Sequence, residues 1–247
     1  MEQLVFELAY VLNHTGAEPN ATAEKIGSMV PSLVTVRDDI AIEWATAYNR
    51  AHRYDEAIRI LEGHDFVPCE GGETALAKAY IAAWYGKGRD LRAAGKDAEA
   101  LDAFRRAEVL PESLGAGLWH MATIVPAQYE EALLLEKAGD RDAAFKIYDY
   151  FNTLYVDFFS NMNLPLLPVY QALGDIRMGK ADAAKALLEK AIAGWKFERE
   201  RHDSGYFGTT PFFISYMDDP HTARVKNYDA LIATAEAVLD GTSDLLK

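Results

Sequence analysis

The sequence has few of the features that mark secreted or membrane-spanning proteins. One residue of 247, Cys69, is a cysteine, so no disulfide can form within the chain, which fits a reducing compartment. The chain has no run of about 18 apolar residues, and its first residues carry no Lys or Arg of a signal peptide. These absences predict a cytoplasmic protein without a membrane segment.

Positive charge is scarce as well. The chain has 25 Lys and Arg residues against 38 Asp and Glu residues, a net charge of −13 and a pI of about 4.9. So acidic a chain is repelled by nucleic-acid phosphates and by anionic lipid surfaces. We therefore expect neither nucleic acid nor membrane as a partner. Proteins, peptides and neutral ligands remain as candidate partners.

Motifs of catalytic, metal and cofactor sites are missing. The six histidines form no H-E-x-x-H pair, and the chain has neither a G-x-S-x-G elbow nor a P-loop. Cys69 has no basic neighbour in sequence that would favour its thiolate, so we interpret it as an ordinary buried thiol. The sequence therefore predicts no enzyme activity, no metal and no cofactor, and the alternative is a catalytic carboxylate pair that joins distant parts of the chain.

Strand signals are limited to one run, "FFISYM" at residues 212–217, and one short run does not make a sheet. Most of the remaining chain has helical periodicity, with prolines at or near the expected helix boundaries. We therefore predict an all-α protein of roughly eleven helices in a single domain over residues 1–247.

A helix of similar shape follows Gly95, Gly139 and Gly179. Five residues after each glycine the sequence has an Ala, and nine residues after it a large apolar or aromatic residue. Twelve residues after the glycine it has an Ala or a Phe. The sets are Ala100, Phe104 and Ala107; Ala144, Tyr148 and Phe151; Ala184, Leu188 and Ala191; and a weaker copy with His52 in place of the glycine, then Ala57, Leu61 and His64. These positions share one helix face, where small residues let a neighbouring helix approach closely. The glycine supplies the positive φ of a tight turn.

This pattern resembles the tetratricopeptide repeat, a helix–turn–helix unit of about 34 residues. Trp84 and Gly88 stand where that family places the large and small residues of its first helix, whereas Ala45 replaces the small Gly in the weaker copy. The resemblance implies a right-handed α-solenoid. Its units would span about 38–68, 81–112, 125–159 and 165–199, with a C-terminal capping region at 200–247. The alternative is an irregular helical bundle with coincidental Ala and Gly spacing.

Two loops carry a narrower resemblance. "FVPCEGGETALAKAY" (66–80) and "LPESLGAGLW" (110–119) are similar to segments in the helical-repeat tails of certain bacterial proteins. In those proteins a mutarotase-like β-rich domain of unknown function precedes tetratricopeptide repeats. Cys69 and Ser113 replace an aromatic residue and an Asn of those segments, and the β-rich domain is not part of these residues. The resemblance implies, as an alternative function, a carbohydrate-linked accessory or ligand-binding module.

Helical repeats of this class recognise ligands on the inner face of each first helix. The repeat register places these residues there: Asn49 and Arg50; Tyr85, Arg89 and Arg92; Tyr129, Glu136 and Lys137. Tyr85, Arg89 and Arg92 share one helix stripe. An aromatic ring and forked guanidinium donors favour an acidic or polyhydroxylated ligand. The alternative is that these side chains pack on neighbouring helices and extend their polar ends to water.

Two loops hold the remaining candidates. Glu70 and Glu73 of "EGGE" either bind a ligand or stabilise a helix start. The aromatic stretch 201–220, with Tyr206 and Tyr216, is predicted to cap the array, and its alternatives are a pocket lining and an oligomer contact. The sequence as a whole predicts a non-catalytic module that binds a protein or peptide in a concave groove. A second copy of the chain and a small carbohydrate are further candidate partners.

Overall fold

The computed structural model describes residues 2–30, 32, 36–67, 72–117, 121–156, 164–203 and 220–246, with backbone alone for 72–73, 202–203 and 220–224. These residues form eleven α-helices and no strand, which confirms the all-α prediction. The helices are α1 Glu2–His14, α2 Pro19–Met29, α3 Asp38–Arg50, α4 Tyr54–Glu62, α5 Gly72–Ala93, α6 Asp97–Ala107, α7 Val125–Lys137, α8 Arg141–Phe151, α9 Leu167–Arg177, α10 Ala181–Asp203 and α11 Pro220–Leu239. Three short 3-10 helices cover Glu112–Leu114, Met121–Ile124 and Asp244–Leu246. The "FFISYM" run lies outside the described residues.

The chain divides into two compact units, Met1–Ala138 and Gly139–Lys247. Helices α1 to α7 belong to the first unit and α8 to α11 to the second. The expectation of one continuous array stays a prediction.

Four helix junctions have the same construction. Exactly three residues separate α3 from α4, α5 from α6, α7 from α8 and α9 from α10. The middle residue has a positive φ each time: 56° at His52, 74° at Gly95, 88° at Gly139 and 79° at Gly179. The sequence pattern predicted glycine or its His52 substitute at these turns, and the backbone confirms it.

Three of these turns also share a hydrogen bond that closes the preceding helix. The N–H of the last turn residue donates to a carbonyl five residues earlier, as in a Schellman motif. The donor and acceptor residues are Arg53 and Tyr48 (2.9 Å), Lys96 and Leu91 (2.9 Å), and Lys180 and Asp175 (2.7 Å). The left-handed residue therefore ends one helix and directs the chain into the next.

In the first unit, the predicted repeat face lies in the core. Ala57 and Leu61 on α4 and Ala100 and Phe104 on α6 are fully buried. Helix α5 packs closely on α6, because a Cβ atom on Gly88 would lie 2.5 Å from Cε1 of Phe104. The small residue on one helix therefore makes room for the large residue on the other, as the spacing predicted.

The second unit repeats this packing on different helices. Tyr148 and Phe151 on α8 and Leu188 on α10 are fully buried, whereas Ala191 is half-buried. Helix α9 approaches α8 at Gly174, where an added Cβ would lie 3.1 Å from Cβ of Tyr148. The predicted buried faces are thus confirmed in both units.

Among the helices of the described ranges, none is long and apolar enough to cross a lipid bilayer.

Candidate functional site

The exposed face of α5 carries five residues at steps of three and four, which we call the α5 stripe. It consists of Lys78, Ala82, Tyr85, Arg89 and Arg92. Such steps place side chains on one side of a helix. Lys78, Ala82 and Arg89 are exposed, whereas Tyr85 and Arg92 are half-buried. The opposite side of α5 is buried in the core of the first unit, so the stripe is its outward face.

Within the stripe, an aromatic ring lies beside an exposed cation. The Tyr85 ring packs at a tilt on the Phe104 ring, with centroids 6.1 Å apart, and this contact helps to hold the tyrosine in place. The Arg89 guanidinium carbon lies 5.9 Å from the centroid of the Tyr85 ring. The Arg89 side chain retains 63% of its exposure. Ring and guanidinium together offer an apolar face and forked hydrogen-bond donors.

A carboxylate from α7 partly neutralises the stripe. Glu130 accepts a hydrogen bond from Arg92, and its other oxygen lies 4.0 Å from Nε of Arg89. The Glu130 side chain is 11% exposed, so this ion pair is shielded from water on one side. Sequence reasoning missed Glu130, because no local pattern indicates that it faces α5. Arg89 is consequently the stripe residue with the weaker ion pair and the greater exposure.

Two predicted groove residues connect helices instead of extending the stripe. The Asn49 side-chain amide donates to the Ala79 carbonyl at 2.9 Å and so links α3 to α5. The Arg50 guanidinium donates to Oδ1 of Asn13 at 3.1 Å and to the carbonyl of Ala17 at 3.0 Å. Arg50 therefore holds the α1–α2 turn against α3.

The other predicted residues do not contribute to this surface. Tyr129 is 1% exposed, and Lys137 forms an ion pair with Asp97 at 2.5 Å. Glu136 is half-buried on α7. Glu70, Tyr206 and Tyr216 and the side chain of Glu73 lie outside the described residues, so their proposed roles stay predictions.

A second polar cluster lies where the end of α6 meets α7. Glu108 accepts a hydrogen bond from Nε2 of Gln128 at 3.1 Å, and Glu131 accepts one from Nε of Arg105 at 2.8 Å. Burial, together with the neighbouring carboxyl of Glu131, raises the pKa of Glu108 to about 8. We call Glu108 and Glu131 the α6–α7 carboxyl pair.

The second unit contains a hollow of about 440 Å³ among α9, α10 and α11, lined mostly by apolar side chains that include Trp195 and Phe197. Two of its lining residues, Val156 and Pro165, lie within two residues of the range 157–163, which the structure does not describe. We therefore assign no ligand to this hollow. Over the described ranges, no group of three or more His, Cys, Asp or Glu residues is arranged to hold a metal ion.

No family model, curated protein or solved structure matches the chain. The fold and the site together define an all-α protein with a cationic, tyrosine-bearing helix face. The functional assignment rests on these two features.

Proposed function

We propose that the chain is a recognition module of the tetratricopeptide-repeat type, built as a right-handed α-solenoid, and that it binds a protein or peptide without catalysis. Four helix–turn–helix junctions, each with a three-residue turn whose middle residue has a positive φ, support a repeat architecture. Buried small and large residues at matching positions in both units support it further. Proteins of this architecture bind partners along the first helix of each pair, a position that α5 occupies here.

The α5 stripe favours a partner with acidic side chains. It presents Lys78, Arg89 and Arg92, with Glu130 as the one carboxylate that contacts its arginines within the described residues. A cationic stripe on a chain with a net charge of −13 is a local reversal of sign, which orients acidic segments toward it. The observation that carries this proposal is the exposed Arg89 guanidinium beside the supported ring of Tyr85.

Charge reversal at Arg89 tests the proposal. An array of immobilised acidic peptides, with Gln and Asn versions of each as neutral controls, is incubated with the wild-type protein and with Arg89→Glu. We expect acidic peptides to bind the wild type at least about tenfold more tightly than the variant, since a guanidinium–carboxylate pair is replaced by a repulsive one.

The matched control is Lys146→Glu, which makes the same charge change on an exposed residue of α8 in the second unit. This variant should bind like the wild type. Equal binding by Arg89→Glu and the wild type would contradict the assignment of the α5 stripe, and loss of binding in both variants would indicate a non-specific effect of net charge.

The position of the Tyr85 ring beside Arg89 supports one alternative function, the binding of a carbohydrate acid. A tyrosine ring next to forked donors is suited to stack on a sugar face and to pair with a uronate carboxylate. A thermal-shift titration with neutral sugars and sugar acids tests this, because a ligand raises the melting temperature as its concentration exceeds its Kd. Stabilisation by sugar acids that is lost in Tyr85→Ala and retained in Tyr85→Phe would favour the carbohydrate over the peptide.

A further inference from the structure

The α6–α7 carboxyl pair contains a buried oxygen that lacks a hydrogen-bond donor. One oxygen of Glu108 accepts from Gln128, but its Oε1 is buried and has no hydrogen-bond partner among the described residues. The Glu131 carboxyl lies within hydrogen-bonding reach of Glu108. Two ionised carboxylates in this position would repel each other and would leave Oε1 unsatisfied.

One proton resolves both problems. When Oε1 of Glu108 carries a proton, its O–H group can donate a hydrogen bond to the Glu131 carboxylate. The proton also removes one of the two adjacent negative charges. The remaining charge on Glu131 is balanced by the Arg105 guanidinium at 2.8 Å. We propose that Glu108 and Glu131 share a single proton near neutral pH, and that loss of this proton loosens the packing of α6 on α7.

Charged and polar groups of the described helices surround the carboxyl pair. Gln128 from α7 and Arg105 from α6 face the pair, the first as a neutral amide and the second as a guanidinium cation. Helices α5, α6 and α7 contain no histidine. Further ion pairs of α7 with its neighbours join Lys137 to Asp97 and Glu130 to the arginines of α5. Burial raises the pKa of Glu108 to about 8, so the carboxyl pair changes charge in the physiological range.

Folding raises the pKa of Glu108, so the carboxyl pair stabilises the folded protein more at low pH than at high pH. The pKa of Glu108 rises from its usual 4.5 to about 8 on folding, so the folded protein retains a proton that the unfolded chain loses. The stabilising contribution is therefore complete below about pH 4.5, declines as the pH rises, and is lost by about pH 8. In the folded protein the pair keeps its proton until the pH approaches about 8, so alkaline conditions loosen the α6–α7 contact, whereas its contribution to the free energy of unfolding already declines from about pH 4.5.

Carbon-detected NMR titration of the glutamate side-chain carboxyls in the full chain tests the shared proton directly. We expect one glutamate signal of the wild type to titrate near pH 8. That signal should be absent in Glu108→Gln, whose amide N–H₂ replaces the proton as a permanent donor to Glu131. In Arg105→Gln the midpoint should move upward, because the cation that favours ionisation is gone.

Thermal melts at several pH values test the loosening. Glu108→Gln should match the wild type near pH 5 and exceed its melting temperature at pH 8.5, since the amide cannot ionise. The control Glu112→Gln removes a carboxylate from an exposed residue of the first 3-10 helix, and it should follow the wild type at every pH.

Three results would overturn the inference. The first is that every glutamate of the wild type titrates below about pH 5.5. The second is a wild-type melting temperature that changes with pH in the same way as that of Glu108→Gln. If Glu108→Gln does not fold, Glu131→Gln provides the same donor from the opposite side, and a midpoint near pH 8 that persists in this variant would also contradict the shared proton.

Discussion

At the scale of single residues, the backbone conformation of four turn positions affects stability more than the contacts of their side chains do. Gly95, Gly139 and Gly179 have positive φ, and an added Cβ would meet no atom within 4 Å at any of the three. The cost of a side chain there is backbone strain alone, which is about 1–2 kcal/mol for an L-residue in the left-handed region. His52 bears this strain, and its Nδ1 lies 3.0 Å from the Tyr54 hydroxyl, a contact that partly offsets the cost.

The first prediction isolates this strain. Gly95→Ala should lower the free energy of unfolding by about 1 kcal/mol, because alanine is strained at a φ of 74° although space is available. Gly194→Ala is the matched control, since Gly194 lies within helix α10 with equally open space around its Cα. Alanine there should raise the free energy of unfolding by roughly 0.5–1 kcal/mol. Urea denaturation measures both, and the same sign for both variants would contradict the role assigned to Gly95.

At the scale of helices, the close approach of α5 to α6 determines which side chains fit. Gly88 lies against the ring of Phe104, and Phe104 in turn supports Tyr85 of the α5 stripe. One helix contact therefore connects core packing with the proposed binding surface. The two helices are also held by Lys137 and Asp97 and by Arg92 and Glu130 through α7.

The second prediction concerns this contact. Gly88→Ala places a methyl group 2.5 Å from the Phe104 ring, and the overpacking should lower the free energy of unfolding by about 1–3 kcal/mol. Phe104→Leu alone should also be destabilising, but the double variant should lose less than the sum of the two, because the smaller side chain makes room for the methyl group. A double-mutant cycle from urea denaturation measures the coupling, and additive losses would contradict direct contact at this position.

At the scale of the whole molecule, net charge is the dominant physical property. A charge of −13 on 247 residues gives a self-repulsion that most surface ion pairs, each worth about 0–1 kcal/mol, do not remove. The α5 stripe is a local exception to the sign of this field. Added salt should therefore stabilise the fold and weaken the proposed binding of acidic peptides.

The third prediction uses this opposition. Raising NaCl from low ionic strength to about 0.5 M should increase the melting temperature by roughly 2–4 °C, because screening weakens the repulsion among carboxylates. The same salt should weaken the binding of acidic peptides, since it screens Arg89 from their carboxylates. Calorimetry and a binding titration in the same buffers check the two trends. A melting temperature that falls with salt would show that ion pairs outweigh net repulsion.

Local patterns determined much of this protein. The helix content, the left-handed turn residues and the buried faces of α4, α6, α8 and α10 follow from periodicity and from glycine's freedom, which act over a few residues. The joint placement of Tyr85, Arg89 and Arg92 follows from helix geometry alone. The sequence predicted each of these because neighbours in the chain are sufficient to fix them.

Only the tertiary structure decided which polar groups meet across helices. Glu130 contacts the α5 arginines, and Glu108 pairs with Glu131. Each contact joins residues from different parts of the chain, and no sequence periodicity relates them. The same holds for Arg50, which the register placed in a groove and which the fold directs to the α1–α2 turn. The physical reason is that a side chain's charge state and partners depend on burial and distance in three dimensions, which local sequence does not specify.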